Sequence, residues 1–479
     1  MIKDGKKVFL LGMLILALVL AGCNSDDGVE KLSATAANFE EVFNSIKAKP
    51  GNYAITLTSD LLDYPGIGLG TDGVNITVKG DVASRKITWK YVEGKAPLFW
   101  VTAGKLTLEN ISLGRAAGNT KDWPLIGTKG GTIEMKSGVV LSTNINSGAV
   151  VESGAFIISG GTIENCGVWL GDGTFTMSGG TIKKGWVNTD GTGVSITITG
   201  GIIDNCDVST GGKGVSITMK GGTITGGDTG IGIWDDSENC VVTISGGIIE
   251  NCNTGVATNG KGASLTISGG TIKNNKGAGI ALWGDSQNCV VTISGGTISG
   301  NGDRGVAVEG TGNKLTMSGG TIENCGAGIT NNGKGASLTI SGGTIRNNTN
   351  VGIVIRDKSE NCVVTISGGT ISENGRRGVD MMGSGNKLTM SGGTISKNKD
   401  WGLLLVGANS EFQKAKGAVI YGNSGDNSNV SGAIFVRCEK NDSKSLQLKV
   451  DAGKDEVYAA KINAGQTDIV AGSKQGPNW

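Results

Sequence analysis

The 479-residue chain contains no histidine and only five prolines. Without histidine, and without any Cys-x-x-Cys spacing, a metal site has little to draw on, so no metal and no other cofactor is expected. Pro50, Pro65, Pro97, Pro124 and Pro477 all lie outside residues 160–393. An interior in which central strands donate their N–H groups to neighbours excludes proline in this way. Forty-three basic residues against forty-two acidic ones leave no excess of either sign, which argues against a nucleic-acid partner. Long apolar runs are absent beyond Val8 to Leu20, so the body has no candidate transmembrane helix.

Glycine is what the chain has in plenty, with 85 residues. A Gly-Gly pair followed by a β-branched or similar couplet recurs eleven times from Gly160 to Gly392, once in about two dozen positions. Collagen needs glycine at every third position, and a disordered linker does not keep valine and isoleucine in register, so neither fits. Within one unit, Leu315, Met317 and Ile322 alternate with polar residues, which is strand periodicity. A third short strand follows an Asn-rich corner, as in Gly305-Val306-Ala307-Val308. Three short strands joined by Gly and Asn corners make one rung of a parallel β-helix. The pairs beginning at Gly246, Gly319 and Gly392 are evenly spaced with two others in each interval, so three coils form a larger repeat. Copied surface is the expected result, and a single catalytic pocket does not need copies of its wall.

The amino terminus carries Lys3, Lys6 and Lys7 before the apolar run, and it closes on Leu20-Ala21-Gly22-Cys23. Residues 1–22 read as a signal peptide, and the last four resemble a bacterial lipobox. That resemblance implies acylation of Cys23 and a membrane partner through the lipid anchor. Residues 23–31 then serve as a polar tether. An amphipathic helix is expected within 32–50, with Phe39, Val42, Phe43 and Ile46 on one side, Asn38 or Ser33 as its cap and Pro50-Gly51 as its stop. Such a helix covers the bare first rung of a β-helix. The coils are expected over 51–405, regular from about 155, with terminal rungs and a C-terminal cap over 406–479.

Cys166, Cys206, Cys252 and Cys325 share a corner position with Asn275, Asn301, Asn348, Asn374 and Asn398. Cys240, Cys289 and Cys362 share a second one, six positions before a glycine pair. Cysteine rarely falls next to cysteine in either column, so isolated buried thiols are expected over disulfides. Cys438 has no assigned partner, and the redox state of all eight stays open.

The repeated Leu-Thr-Ile/Met-Ser-Gly-Gly-Thr-Ile-x-x-Asn pattern, the lipobox and Asn52-Tyr53-Ala54-Ile55-Thr56-Leu57-Thr58 together resemble the right-handed parallel β-helix lipoproteins of spirochaetes and related bacteria. More distantly, the chain is similar to the pectin-lyase-like architecture. The resemblance covers roughly residues 36 to 405. It implies an all-β, right-handed parallel β-helix solenoid with an N-terminal capping helix, at the outer membrane or cell surface. For activity it implies less, because that fold carries lyases, hydrolases, adhesins and tail fibres alike.

Two sets of residues stand out as candidates. Trp234 and Trp283 follow an inward aliphatic residue, and Trp169 has the same phase, so indoles along one face offer stacking on a ligand as one reading, with corner packing or chance exposure as the more usual one. A polysaccharide, a host matrix protein or an envelope component would fit. Asp285 and Glu309 sit one rung apart, about 4.8 Å, close to the carboxylate separation of a retaining glycosidase. They carry the alternative, a polysaccharide lyase or glycoside hydrolase with a site on the lateral face. Aspartate beside glycine or serine at a corner is more often a turn residue, so the preferred expectation is an adhesin, envelope or glycan-binding scaffold.

Overall fold

The computed structural model describes residues 28–82, 85–95, 97–143, 147–234, 236–406, 410–414, 418–421 and 423, with strand backbones beyond them to residue 471. The expected signal peptide, Cys23 and Cys438 lie outside the described residues. The chain divides into two compact units, residues 1–204 and 205–479.

In the second unit each coil has three short strands, such as Lys314–Met317, Thr321–Glu323 and Ala327–Asn331. Each pairs in parallel with its counterpart one coil on, as Leu315 with Leu338, Ile322 with Ile345 and Ile329 with Ile353. All six side chains are buried, at 4% exposure or less. Alternation puts one aliphatic residue inward on every second strand position, and full burial of each contributes about 1.5–3 kcal/mol. The unit is therefore an all-β parallel β-helix.

The corners explain the glycine pairs. Gly320 has φ +77°, and a Cβ there would stand 2.6 Å from the carbonyl oxygen of Gly295 in the coil before. Only glycine reaches this conformation while letting two backbones come so close. A second corner turns through asparagines of positive φ, such as Asn324 and Asn347. The second corner varies by one position, since Ser299 to Arg304 is one longer than Glu323 to Ala327, and the third corner takes up the larger differences in coil length. Leu282 pairs with Val308 on the way into it, and Gln287 with Thr311 on the way out. The earlier coil thus spends two more positions on this bend than the later one, and they fall between Trp283 and Ser286.

A second glycine column runs through the third strands at Gly255, Gly279, Gly305, Gly328, Gly352 and Gly378. Here the backbone conformation is ordinary, but the space is not. A Cβ on Gly279 would lie 2.7 Å from Cγ2 of Ile298 and 2.8 Å from the Gly305 carbonyl oxygen. The isoleucines of the second strands fill the volume that side chains would need.

In the first unit the same plan is stretched. Strands Ile67–Gly80, Phe99–Glu109, Ile126–Met135, Ser147–Ile158 and Gly167–Met177 run 10 to 14 residues and pair in parallel. Positive-φ glycines at Gly73, Gly104, Gly130 and Gly154 bend them in mid-course, in place of a separate corner.

The helix Phe39–Ile46 buries Phe39, Val42, Phe43 and Ile46. It packs against strands Val29–Ala34 and Gly51–Leu57. Asn38 stands at its N-cap position, but its Oδ1 turns back to accept from the N–H and hydroxyl of Thr35. Ser33, the other candidate cap, lies in the strand Val29–Ala34. That strand takes up the end of the expected tether and the start of the expected helical segment, pairing in parallel with Gly51–Leu57. Leu32 and Ala34 are buried in it, a two-residue alternation too short to stand out in the sequence. Beyond the regular coils the pairing changes sense: Glu411–Lys414 pairs antiparallel with Tyr458–Ile462, and Ala433–Arg437 with Ser445–Lys449.

Candidate functional site

Because strands stack in register, each outward position becomes a column of side chains, and the candidate residues lie in such columns. On the third strands of the second unit the middle outward column runs Gly232, Ala257, Ala281, Ala307, Thr330. The next outward column holds Trp234, Asn259, Trp283 and Glu309. Trp234 and Trp283 are half-buried, packed against Ala257, Ala278, Ala281 and Ala307. A Cβ on Gly232 would meet Cζ2 of Trp234 at 2.5 Å, so that indole lies back across its own strand. The outward phase matches the sequence reading, while the rings are in large part committed to packing. The small residue two positions before each tryptophan, Gly232 and Ala281, is the signal for this fold-back. Trp169, in the first unit, is also half-buried, and its ring reaches to 3.1 Å of a Cβ built on Gly171.

Asp285 is exposed in a four-residue turn closed by the Ser286 N–H donating to the Trp283 carbonyl oxygen at 2.9 Å. The turn recurs at Trp234–Ser237 (2.8 Å) and Arg356–Ser359 (2.9 Å). Register aligns Trp283, not Asp285, with Glu309, because Asp285 belongs to the two-residue excess of its corner. Glu309 is instead paired with Arg304 at 3.2 Å, in a bridge that straddles Ala307. The two carboxylates therefore do not occupy equivalent rung positions. Asp380 has a 4% exposed side chain held by Arg377 at 2.7 Å, and Arg377 also reaches Asp400 at 3.1 Å. Burial pushes the Asp380 carboxyl above the usual range despite the pull of Arg377.

Charged columns on other corners are matched between rungs. Glu250 pairs with Lys273 (3.2 Å), Glu323 with Arg346 (2.9 Å), Lys213 with Glu238 (3.2 Å) and Lys334 with Glu360 (3.3 Å). On the first strands, by contrast, the second of the two outward columns is a single residue type. Thr218, Thr243, Thr266, Thr292, Thr316, Thr339, Thr365 and Thr389 stand in register on consecutive coils, all half-exposed. Their mark in the sequence is a threonine three positions before each glycine pair.

Cys166, Cys206, Cys240, Cys252, Cys289, Cys325 and Cys362 are all buried, and none of them is in a disulfide. Their thiols donate to backbone carbonyls, as Cys252 to Glu250 (3.4 Å) and Cys289 to Gly260 (3.2 Å). Burial pushes the Cys252 thiol up to about 11, and those of Cys240, Cys289, Cys325 and Cys362 in the same direction. Such thiols are poor nucleophiles. Beyond Cys325 the corner column is an amide ladder: Asn348 donates to Asn374 (3.0 Å), Asn374 to Asn398 (2.8 Å), and Asn398 to Asn423 (2.8 Å).

Comparison with known proteins agrees with this architecture. Residues 285–424 match the family model of the right-handed beta helix region. Residues 171–337 match the model of the periplasmic copper-binding protein NosD. No curated protein sequence matches the chain. Among solved structures, a mutant of the periplasmic alginate epimerase AlgG is similar at 10% identity over 76% of this chain and 85% of that one, with a TM-score of 0.31. At that score the likeness bears on neither fold nor activity. The chain is a right-handed parallel β-helix. The match to a periplasmic family further supports a β-helix protein that works outside the cytoplasm.

Proposed function

We propose that the protein is a lipid-anchored scaffold of the bacterial envelope, held through Cys23 at the outer membrane or cell surface, which presents repeated faces to a polysaccharide, a host matrix protein or an envelope component. The observation that carries this reading is the threonine column of the second unit. Eight hydroxyls in register, about 4.8 Å apart, offer donors and acceptors on a rigid face to a partner that itself repeats. Each contact is weak, and a polymer that engages many at once gains by multivalency. Two acyl chains on Cys23 would anchor the body stably, where one gives marginal binding.

Copper, named in the description of the NosD family, does not fit these residues. The chain has no histidine, and among the described residues no group of three His, Cys, Asp or Glu could hold a metal ion. Neighbouring thiols in each column are separated by at least one coil that carries Gly, Ala or Asn in their place, and thiols such as those of Cys252 and Cys289 bond to backbone carbonyls.

Retention and cleavage assays on acidic and neutral polysaccharides and matrix proteins test the proposal. Retention without cleavage is expected, and it should fall when Thr266 and Thr292 are both changed to Lys. Cleavage that disappears in Asp285→Asn or Glu309→Gln would instead establish a lyase or hydrolase. Cys23→Ala should move the protein from the membrane to the soluble fraction.

A further inference from the structure

The first unit contains a concave site unlike any of the repeated columns. Residues 90–95 leave the strand Arg85–Trp89, and residues 116–124 leave the strand Ile111–Arg115. With the strand face they enclose a cleft of about 640 Å³ lined by Tyr91, Trp100, Asp122, Trp123, Pro124 and Glu152.

Its walls are fixed from beneath. Trp89 is fully buried, with Tyr91 set edge-on to it at 6.1 Å and Trp123 in turn 6.3 Å from Tyr91. The Arg115 guanidinium lies 5.2 Å from the centre of the Trp89 ring. From there it donates to Thr143 Oγ1 (2.8 Å), to the Lys121 carbonyl oxygen (2.6 Å) and to that of Trp123. Asn119 adds a bond from its Nδ2 to the Trp89 carbonyl oxygen at 3.0 Å. The loop that presents Trp123 is thus tied at several points, yet the indole itself is 46% exposed. On the other wall the Trp100 ring covers Gly127, where any side chain would clash with it.

We propose that this cleft binds neutral oligosaccharides, with Trp123 and Trp100 stacking on the apolar faces of sugar rings while Asp122 and Glu152 accept hydrogen bonds from hydroxyls. Aromatic faces beside a few polar groups in a cleft of this size are the usual make-up of a small-ligand site. Charge selects among sugars. Around the rim Glu93, Asp122 and Glu152 are balanced by Lys95, Lys121 and Lys129. Two of these cations are already engaged, Lys129 with Glu152 at 3.1 Å and Lys121 over the Tyr91 ring at 5.2 Å. With both signs mixed so evenly around the rim, neither a polyuronate nor a polyamine is favoured. The site is separate from the threonine column, so either can fail without the other.

Titration of the full-length protein in detergent with cellohexaose, mannohexaose and xylohexaose, followed by tryptophan fluorescence, tests the inference. Hexagalacturonate and a chitosan hexamer supply the charged arms. At least one neutral hexamer should bind in the millimolar range or tighter. Trp123→Ala should weaken it about tenfold with an unchanged melting temperature, and Asp122→Asn should weaken it about threefold. Thr266→Lys with Thr292→Lys should leave it unaltered. Failure of all three neutral hexamers to bind, tighter binding of either charged hexamer, or wild-type binding in both Trp123→Ala and Asp122→Asn would overturn it.

Discussion

The two units turn the same coil in different ways, and each way yields a different surface. In the second unit, short corners separate short strands, and glycine and asparagine hold every rung to the last. Its outward positions become columns in register, whose tryptophans and charges pack against their own neighbours. The first unit bends long strands at single glycines and sends two loops out after its second strands. Strict repetition builds an extended face, whereas broken repetition builds a cleft.

The strongest test of that contrast is the third-strand glycine column. Gly279→Val should cost about 3 kcal/mol or more, read by urea denaturation, because Ile298 and the Gly305 carbonyl already occupy the space. Gly284→Ala, with nothing within 4 Å, should stay within about 0.5 kcal/mol of wild type. Next in size is the amide ladder. Asn374→Ala removes the acceptor of both the N–H and the Nδ2 of Asn348, and should cost about 2–3 kcal/mol. Asn374→Cys should cost less, since Cys325 already serves in that column, where Asn301 Nδ2 lies 3.7 Å from its sulfur.

Alkaline unfolding probes the buried thiols of the second unit. The Cys252 thiol ionises near 9.0 when unfolded and at about 11 when folded, so the unfolded chain loses its proton first. Its contribution is intact below pH 9.0 and lost as pH rises through about 11. Melting temperature should therefore fall over that window, and Cys252→Ala should flatten the fall. The smallest effect belongs to the surface pairs. Lys273→Ala, which frees Glu250, should change stability by less than about 1 kcal/mol, and less still in high salt.

Much of this was legible in the sequence because a β-helix writes its coil length and strand phase into local patterns. The Gly-Gly corners, the inward Leu315, Met317 and Ile322, the helix face from Phe39 to Ile46 and the isolated thiols could all be read from spacing. The third-strand glycines were harder, since their cause is an isoleucine of the following coil and not their own backbone. Trp234 and Trp283 were placed on the correct side of the strand, but their rings respond to the small residues of neighbouring rungs. Asp285 and Glu309 looked like partners only while coils were counted as equal. The cleft follows no period: the Arg115 hydrogen bonds that tie the loop carrying Trp123 are made by an irregular segment, and Tyr91 and Trp100 reach it from elsewhere in the first unit.

The corners that absorb differences in coil length have a genetic consequence. When irregularity is kept to the bends and out of the strands, a duplication that begins at any point of the three-coil block and ends at the same point of the next restores every strand partner at once. No breakpoint needs to coincide with a strand end. The gene can therefore lengthen or shorten by unequal recombination while each product still folds, and populations that carry it should hold alleles that differ by whole blocks of three coils.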